Sequence, residues 1–162
     1  MKNTEQARQE LLAIAEELQE KKERASTLTK DCYEPGNMEN LAEYLGRYDA
    51  QSGRITLRTL AMGLRYEERT PRLDRLQVGD PVRLVREKEN AFNENNITIL
   101  SEEGENLGNL PAKLCNAAAP LWDAGLLAIT DSRVSYLERL RDRSRYAKQG
   151  VLFVEICMEM KN

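Results

Sequence analysis

The sequence predicts an α+β protein, in which a small, mainly antiparallel β-barrel of the OB or SH3 kind with one or two packed helices follows an N-terminal helical segment. Three observations support this. Residues 4–29 contain no Gly or Pro and place apolar residues three and four positions apart. From Arg54 onward, apolar residues alternate at every second position. One long stretch of helical spacing, 112–124, interrupts that alternation.

The N-terminal helix has a heptad seam, for which two interpretations remain open. Its seam positions are Ala7, Leu11, Ile14, Leu18, Lys21, Ala25 and Leu28. The helix could lie on its own barrel, or it could pair with a second chain as a coiled coil, which Lys21 in the seam would weaken. A second helix is predicted at 38–45, with Asn37 as its cap and Gly46 as its end. The turn-rich segment 49–53 then predicts a boundary between a helical segment, 1–53, and a β-domain, 54–162.

The β-domain is predicted to contain six strands and one principal helix. Leu73, Leu76 and Val78 have the spacing of a short helical turn packed inward. Pro111 suits the start of the helix at 112–124. The expected strands lie at 54–62, 82–85, 97–100, around 107–108, 127–140 and 151–160.

Composition excludes several classes of function. The chain of 162 residues has a net charge of -3 and no histidine, so Ser-His-Asp and Cys-His catalysis are excluded and a zinc site is improbable. We find no phosphate-binding glycine loop, and therefore expect no cofactor, no metal and no enzyme activity. Cys32, Cys115 and Cys157 are odd in number and widely spaced, and no run of membrane-spanning length is present. These features predict a reduced, cytoplasmic protein without a membrane partner.

The loop 90–96 is unusual because it places a single aromatic, Phe92, among four asparagines. Asparagine is favoured in turns, where its side chain bonds nearby backbone, so the loop could be a surface turn only. Alternatively, an exposed ring with amide groups beside it forms a stacking surface with hydrogen-bonding partners, as a nucleobase requires.

The segment 133–148 carries six basic and two acidic residues. If it were a strand, Arg139, Arg141, Arg143 and Arg145 would all point the same way. Such a row could protect a sheet edge from pairing with a neighbour. It could equally form a track for phosphates.

Three blocks in this order resemble the HIRAN domain family. They are G-D-x-V-x-L-x-R-E from Gly79, N-x-F-N-x-N-x-I-x-I from Asn90 and L-G-N-L-P from Leu107. Upstream, the run 62–66, MGLRY, is similar to the family's first strand, and the resemblance covers roughly residues 54 to 160. It implies a HIRAN-type barrel that captures the 3'-hydroxyl end of single-stranded DNA.

The resemblance also implies the binding residues. The family's pair on the first strand corresponds to Arg65 and Tyr66, its loop pair to Phe92 and Asn93, and its hairpin position to Asn109. The loop pair is Tyr-Asp in the family. Because a neutral amide replaces the carboxylate at Asn93, we expect weaker discrimination between a 3'-hydroxyl and a 3'-phosphate.

Two functions from different classes follow. The first is a non-catalytic adaptor that binds single-stranded DNA at its 3' end, with any catalysis residing in a partner protein, since the chain carries no helicase motor. The second is a protein-interaction or oligomerisation module with a degenerate DNA pocket, which would self-associate through residues 4–29.

Overall fold

The strands form two antiparallel sheets in a computed structural model that describes residues 3–25, 46–49, 51–66 and 68–161. Short 3-10 turns are present at Leu73–Arg75 and Leu140–Asp142. The helices and strands in chain order are α1 (Thr4–Ala25), β1 (Gly46–Asp49), β2 (Arg54–Leu60), α2 (Arg69–Arg72), β3 (Val82–Arg86), β4 (Ile97–Ser101), β5 (Asn106–Asn109), α3 (Ala112–Asp123), β6 (Leu127–Glu138) and β7 (Val151–Met160). The predicted α+β class is confirmed.

The two sheets have the strand orders β1-β2-β7-β6 and β3-β4-β5. Two isolated bridges join the sheets: Met62 pairs with Asn109, and Pro81 pairs with Arg133. The ladders therefore do not form one continuous closed barrel, although the sheets meet at both of these places. The first bridge is the more important for function, because it holds the chain after β2 against β5.

The core lies between the sheets and beneath the helices. The alternation of apolar residues in the sequence matches an alternation of buried and more exposed side chains in the strands. In β2, Ile55 and Leu57 are 0% and 1% exposed. β7 is central in its sheet and is buried continuously from Val151 to Val154. Each large apolar side chain removed from water in this way contributes about 1.5–3 kcal/mol.

Helix α1 packs on the rest of the chain. It contacts α3, β1 and β2, and Ala7, Leu11 and Ala15 are fully buried in the common core. Ile14 is partly buried against the same core. The interpretation of an amphipathic helix lying on its own β-domain is thus confirmed as far as Ala15. The seam positions from 18 onward have side chains outside the described residues, and the predicted helix at 38–45 also lies outside them.

Several predicted elements differ from the observed ones. Gly46–Asp49 falls in the predicted helical segment but forms strand β1, which pairs with β2. The division at residue 53 stays a prediction. Val78 is 65% exposed, so the prediction that it packs inward is wrong, whereas Leu73 and Leu76 are buried. Val78 follows the helical turns and precedes the turn at Gly79, where the chain no longer has helical periodicity.

Cys115 and Cys157 are both free thiols. Burial raises the pKa of the Cys115 thiol, which therefore stays protonated and unreactive at neutral pH. Within the described ranges, no helix has both the length and the apolar character needed to cross a bilayer. The same ranges contain no cluster of three or more His, Cys, Asp or Glu side chains that could hold a metal ion.

Candidate nucleic-acid interface

A groove of about 970 Å³ opens where the end of β2, the asparagine-rich loop, strand β5 and the loop before β7 come together. Its lining combines two aromatic rings, two guanidinium groups, four amides and one carboxylate. The lining residues are Met62, Gly63, Arg65, Tyr66, Arg69, Glu87, Asn90, Phe92, Asn106, Asn109 and Gln149. The groove thus brings together four of the predicted site residues: Arg65, Tyr66, Phe92 and Asn109.

Arg65 and Tyr66 lie in a tight turn directly after β2. The turn is closed by backbone bonds from Tyr66 N to Gly63 O (3.2 Å) and from Arg69 N to Tyr66 O (3.0 Å). The Arg65 guanidinium donates to the Tyr66 hydroxyl at 2.7 Å and lies 4.9 Å from the ring centroid. Tyr66 is 53% exposed. Arg65 therefore braces the ring while both side chains stay accessible from the groove.

Phe92 is presented by the asparagine-rich loop. The Asn90 side-chain oxygen accepts from the backbone N–H groups of Phe92 (2.9 Å) and Asn93 (3.0 Å), which fixes the loop as an Asx turn. Phe92 is 98% exposed at its apex. The loop is thus a side-chain-capped turn, as the first interpretation holds, and it also presents an aromatic ring to the groove, as the second requires.

Asn93 does not line the groove. Its amide nitrogen donates to Asn116 Oδ1 at 3.0 Å, and its side-chain oxygen accepts from the Asn95 backbone N–H at 3.0 Å. These bonds tie the loop to helix α3. The structure thus places Asn93 in the support of the loop and outside the groove lining.

A hydrogen-bonded network lies beneath the groove. Glu87 Oε2 accepts from the Thr98 hydroxyl at 2.7 Å and from Asn96 Nδ2 at 2.8 Å. The Thr98 bond, bonds from Asn96 and Asn90 and the charge of Arg69 hold the pKa of the Glu87 carboxyl below its ordinary value of 4.5, against the opposing effect of desolvation. Glu87 is therefore an anion at neutral pH.

Asn109 connects this network to the end of β2. Its side-chain oxygen accepts from Asn96 Nδ2 at 3.1 Å. Its backbone exchanges two hydrogen bonds with Met62, of 2.8 and 3.0 Å. The amide is therefore held in the groove wall by both its side chain and its backbone.

Arg69 is the second cation of the lining, and sequence reasoning did not identify it. It is only 7% exposed, and its Nη1 donates to Gly63 O at 3.2 Å. It stands in a strongly charged stretch of the sequence, 65–75, and nothing in that pattern distinguishes Arg69 from its charged neighbours. Glu87 was also missed, although it stands in the R-E pair of a block that resembles the family.

The arginine-rich segment that follows β6 is not a strand. β6 ends at Glu138, and Leu140–Asp142 forms a 3-10 turn. Arg139 donates to Leu76 O, and Arg143 donates to Gln149 O at 3.3 Å. Two of the three predicted arginines thus stabilise loop backbone, and Arg139, Arg141 and Arg143 are absent from the groove lining. Because the charged segment turns directly after Glu138, it is not the strand on which these arginines would all point the same way.

Arg86 fixes the asparagine-rich loop from below. It donates to the backbone carbonyls of Asn96 (2.7 Å) and Glu94 (3.2 Å) and makes two bonds to the Asp123 carboxylate, of 3.0 and 2.9 Å. The Arg86 side chain is 9% exposed. Hydrogen bonding from Arg86 lowers the pKa of Asp123 from its ordinary value of 3.8, against desolvation.

We expect Asp123→Asn to lower the free energy of unfolding by about 1.5–3 kcal/mol, because a largely buried guanidinium loses a charged hydrogen-bond partner. Since the folded pKa of Asp123 lies below the unfolded one, its contribution is present above about pH 4 and is lost as the pH falls through the folded pKa. Urea unfolding of both proteins from pH 7 to pH 3 should therefore show the difference shrinking in acid. Asp74→Asn, at an exposed carboxylate, is the control; an equal loss there would contradict the assignment.

Comparison with known proteins identifies the fold. The HIRAN domain family profile matches residues 55–153. The crystal structure of the HIRAN domain of human HLTF aligns with a TM-score of 0.50 at 21% identity, over 66% of this chain and 77% of that one. A crystal structure from Lactobacillus plantarum aligns with a TM-score of 0.49 at 22% identity, over 66% and 99% of the chains.

An NMR structure of the HLTF HIRAN domain in its DNA-bound conformation is 22% identical and aligns with a TM-score of 0.42, over 66% of this chain and 76% of that one. No curated protein matches the chain. The family profile spans more than half of the sequence, including β2, the groove and most of the strands beneath it. This protein therefore belongs to the HIRAN domain family.

Proposed function

We propose that this protein is a non-catalytic module that binds the 3' end of single-stranded DNA in the groove. One observation carries the proposal. Arg65, Tyr66, Phe92 and Asn109, which come from three separate segments of the sequence, line the same cavity. Membership of a family in which the human HLTF domain has a DNA-bound conformation is consistent with this function.

The chemistry of the groove suits a terminal nucleotide. Tyr66 and Phe92 offer exposed rings on which bases can stack, and each stacked base is worth about 1–3 kcal/mol. Arg65 can bind a phosphate oxygen in a charge-assisted bond. Asn109 offers an amide group at the groove wall, where a base or sugar edge would lie.

The cationic loop between β6 and β7 supplies a longer-range attraction in this proposal. Gln149 at its end lines the groove, so Arg139, Arg141 and Arg143 lie in a segment that leads to the site. Their charge would raise the association rate with DNA and make it depend on salt. We further propose that the protein acts in the cytoplasm as an adaptor that delivers DNA ends to a catalytic partner.

Binding should fall on loss of the Tyr66 ring. We expect Tyr66→Ala to weaken binding of a short single strand with a free 3' end by roughly 5- to 100-fold, whereas Tyr66→Phe should retain most of the affinity, because the ring supplies the stacking.

Arg65→Ala should weaken binding and reduce the salt dependence of the affinity by about one phosphate contact. Fluorescence anisotropy titrations at several salt concentrations measure both effects.

Arg83→Ala is the charge-matched control, since Arg83 is an exposed arginine on β3 outside the groove lining. It should leave the affinity within about twofold. Equal losses for Arg65→Ala and Arg83→Ala would indicate non-specific attraction only. Wild-type affinity in Tyr66→Ala would refute the groove as the binding site.

A further inference from the structure

The loop between β6 and β7 repeats the arrangement of arginine and tyrosine that follows β2. Arg145 and Tyr146 are consecutive, as Arg65 and Tyr66 are. The Arg145 guanidinium donates to the Tyr146 hydroxyl at 2.8 Å and lies 4.9 Å from the ring centroid. The corresponding distances at Arg65 and Tyr66 are 2.7 and 4.9 Å. Both pairs therefore present a tyrosine ring with a cation held beside it.

The Tyr146 ring contributes little to the core. It is 74% exposed, and among the large apolar side chains that the structure describes only Phe92 is more exposed. Arg145 braces the ring from the side through its hydrogen bond to the hydroxyl. A ring that is braced in this way and not buried offers an accessible face to a flat ligand.

The turn that carries the ring is closed by hydrogen bonds. The Ser144 hydroxyl accepts from the Tyr146 backbone N–H at 3.3 Å, and the Ser144 carbonyl accepts from the Ala147 N–H at 2.9 Å. Arg143 donates to the Gln149 carbonyl at 3.3 Å. A ligand that meets the ring on this turn has little further chain to order, so less binding free energy is lost to ordering.

This second pair lies beside the groove without forming part of its lining. Gln149 lines the groove, whereas Tyr146, three residues earlier, does not. Three Cα–Cα steps of about 3.8 Å place the two Cα atoms within about 11 Å of each other. Arg141 and Lys148 are exposed in the same loop. A strand that leaves the groove past Gln149 would therefore meet a second ring among cations.

We propose that Arg145 and Tyr146 form a second nucleotide-binding position, which takes an internal nucleotide of the strand whose end lies in the groove. A base stacks on the exposed face of the Tyr146 ring, and Arg145 binds a neighbouring phosphate. This inference rests on the proposed binding of single-stranded DNA. It extends the contact beyond the groove and makes affinity depend on the length of the strand.

The ring distinguishes this position from a general attraction of charges. Attraction of phosphates needs only cations such as Arg141 and Lys148, and an aromatic ring adds nothing to it. Stacking needs an exposed ring and tolerates any base. It also needs an unstacked base, which a single strand offers and a duplex does not. The pair of Arg145 and Tyr146 therefore suits a single strand of any sequence.

The test measures affinity by fluorescence anisotropy for deoxythymidine strands of three and twelve nucleotides. Wild type should bind the longer strand roughly fivefold or more tightly, because one more base stacks. Tyr146→Ala should lose most of that gain and bind the trimer as wild type does, whereas Tyr146→Phe should keep the gain. A third strand of twelve nucleotides carries bases only on the three at its 3' end and is abasic elsewhere. It retains every phosphate, so loss of the gain with this strand in wild type separates stacking from charge.

Leu140→Ala is the matched control, because Leu140 is an exposed apolar residue of the same loop and has no ring. It should keep the full gain. A gain that persists in Tyr146→Ala or with the abasic strand, or that is missing in wild type, overturns the second position while leaving binding in the groove intact. Equal losses of trimer and long-strand affinity in Tyr146→Ala overturn it as well. Absence of binding to every strand overturns the proposed function itself. The wild-type series needs no variant, so it decides the question even if Tyr146→Ala unfolds.

Discussion

Gly108→Ala should lower the free energy of unfolding by about 2–6 kcal/mol, from roughly 1–3 kcal/mol of backbone strain and a similar cost of overpacking. Gly108 has a φ of 135°, a conformation that L side chains rarely adopt. A Cβ at this position would lie 2.7 Å from the carbonyl oxygen of Met62. The substitution therefore pushes against the backbone pair that holds the end of β2 to β5.

Gly79→Ala is the matched control. Gly79 also has a positive φ, of 97°, but an added Cβ would meet nothing within 4 Å. It should cost only the strain, about 1–3 kcal/mol. Urea unfolding measures the two free energies, and DNA affinity under folding conditions measures the effect on the groove. Equal losses in both variants would contradict a role for the Met62 contact.

The folded fraction of Gly108→Ala should also bind DNA more weakly than wild type does. The folded fraction of Gly79→Ala should bind DNA with wild-type affinity. The pair Met62–Asn109 forms one wall of the groove, so displacing it moves the Asn109 amide relative to Tyr66. Gly79 lies outside the lining. Unchanged affinity in the folded fraction of Gly108→Ala would show that the groove tolerates the shift.

The β-domain was predictable from sequence because each sheet buries one face. Alternation in β2 and β4, and the helical spacing of α3, identify these elements correctly to within a few residues. The short strand β1 was not predictable, since four residues, Gly46–Asp49, contain too little periodicity to indicate a strand. The charge pattern after β6 did not show that Arg139 and Arg143 bond loop carbonyls, because those bonds depend on how the segment turns.

The site was only partly predictable. The resemblance to a family identified Arg65, Tyr66, Phe92 and Asn109, which the fold does bring together. It did not show that Asn93 bonds Asn116, because the two lie 23 residues apart and meet only through packing of the loop on α3. Glu87 and Arg69 were missed for the same reason. The place of both side chains in the groove depends on tertiary contacts, and of the two only Glu87 stands in a block that resembles the family.

Leu11→Ala should lower the free energy of unfolding by about 2–5 kcal/mol, because Leu11 is fully buried between α1 and the β-domain. The same helix provides the control in Leu12→Ala, since Leu12 is only partly buried and its truncation should cost much less free energy of unfolding.

The comparison of wild type with Leu11→Ala also separates the two interpretations of the heptad seam. If α1 serves its own core, the thermal midpoint of both wild type and variant is independent of protein concentration. If α1 pairs with a second chain through Leu11, the wild-type midpoint rises with concentration and the variant loses that dependence. Differential scanning calorimetry over a hundredfold concentration range distinguishes these outcomes, and the burial of Ala7, Leu11 and Ala15 leads us to expect the first.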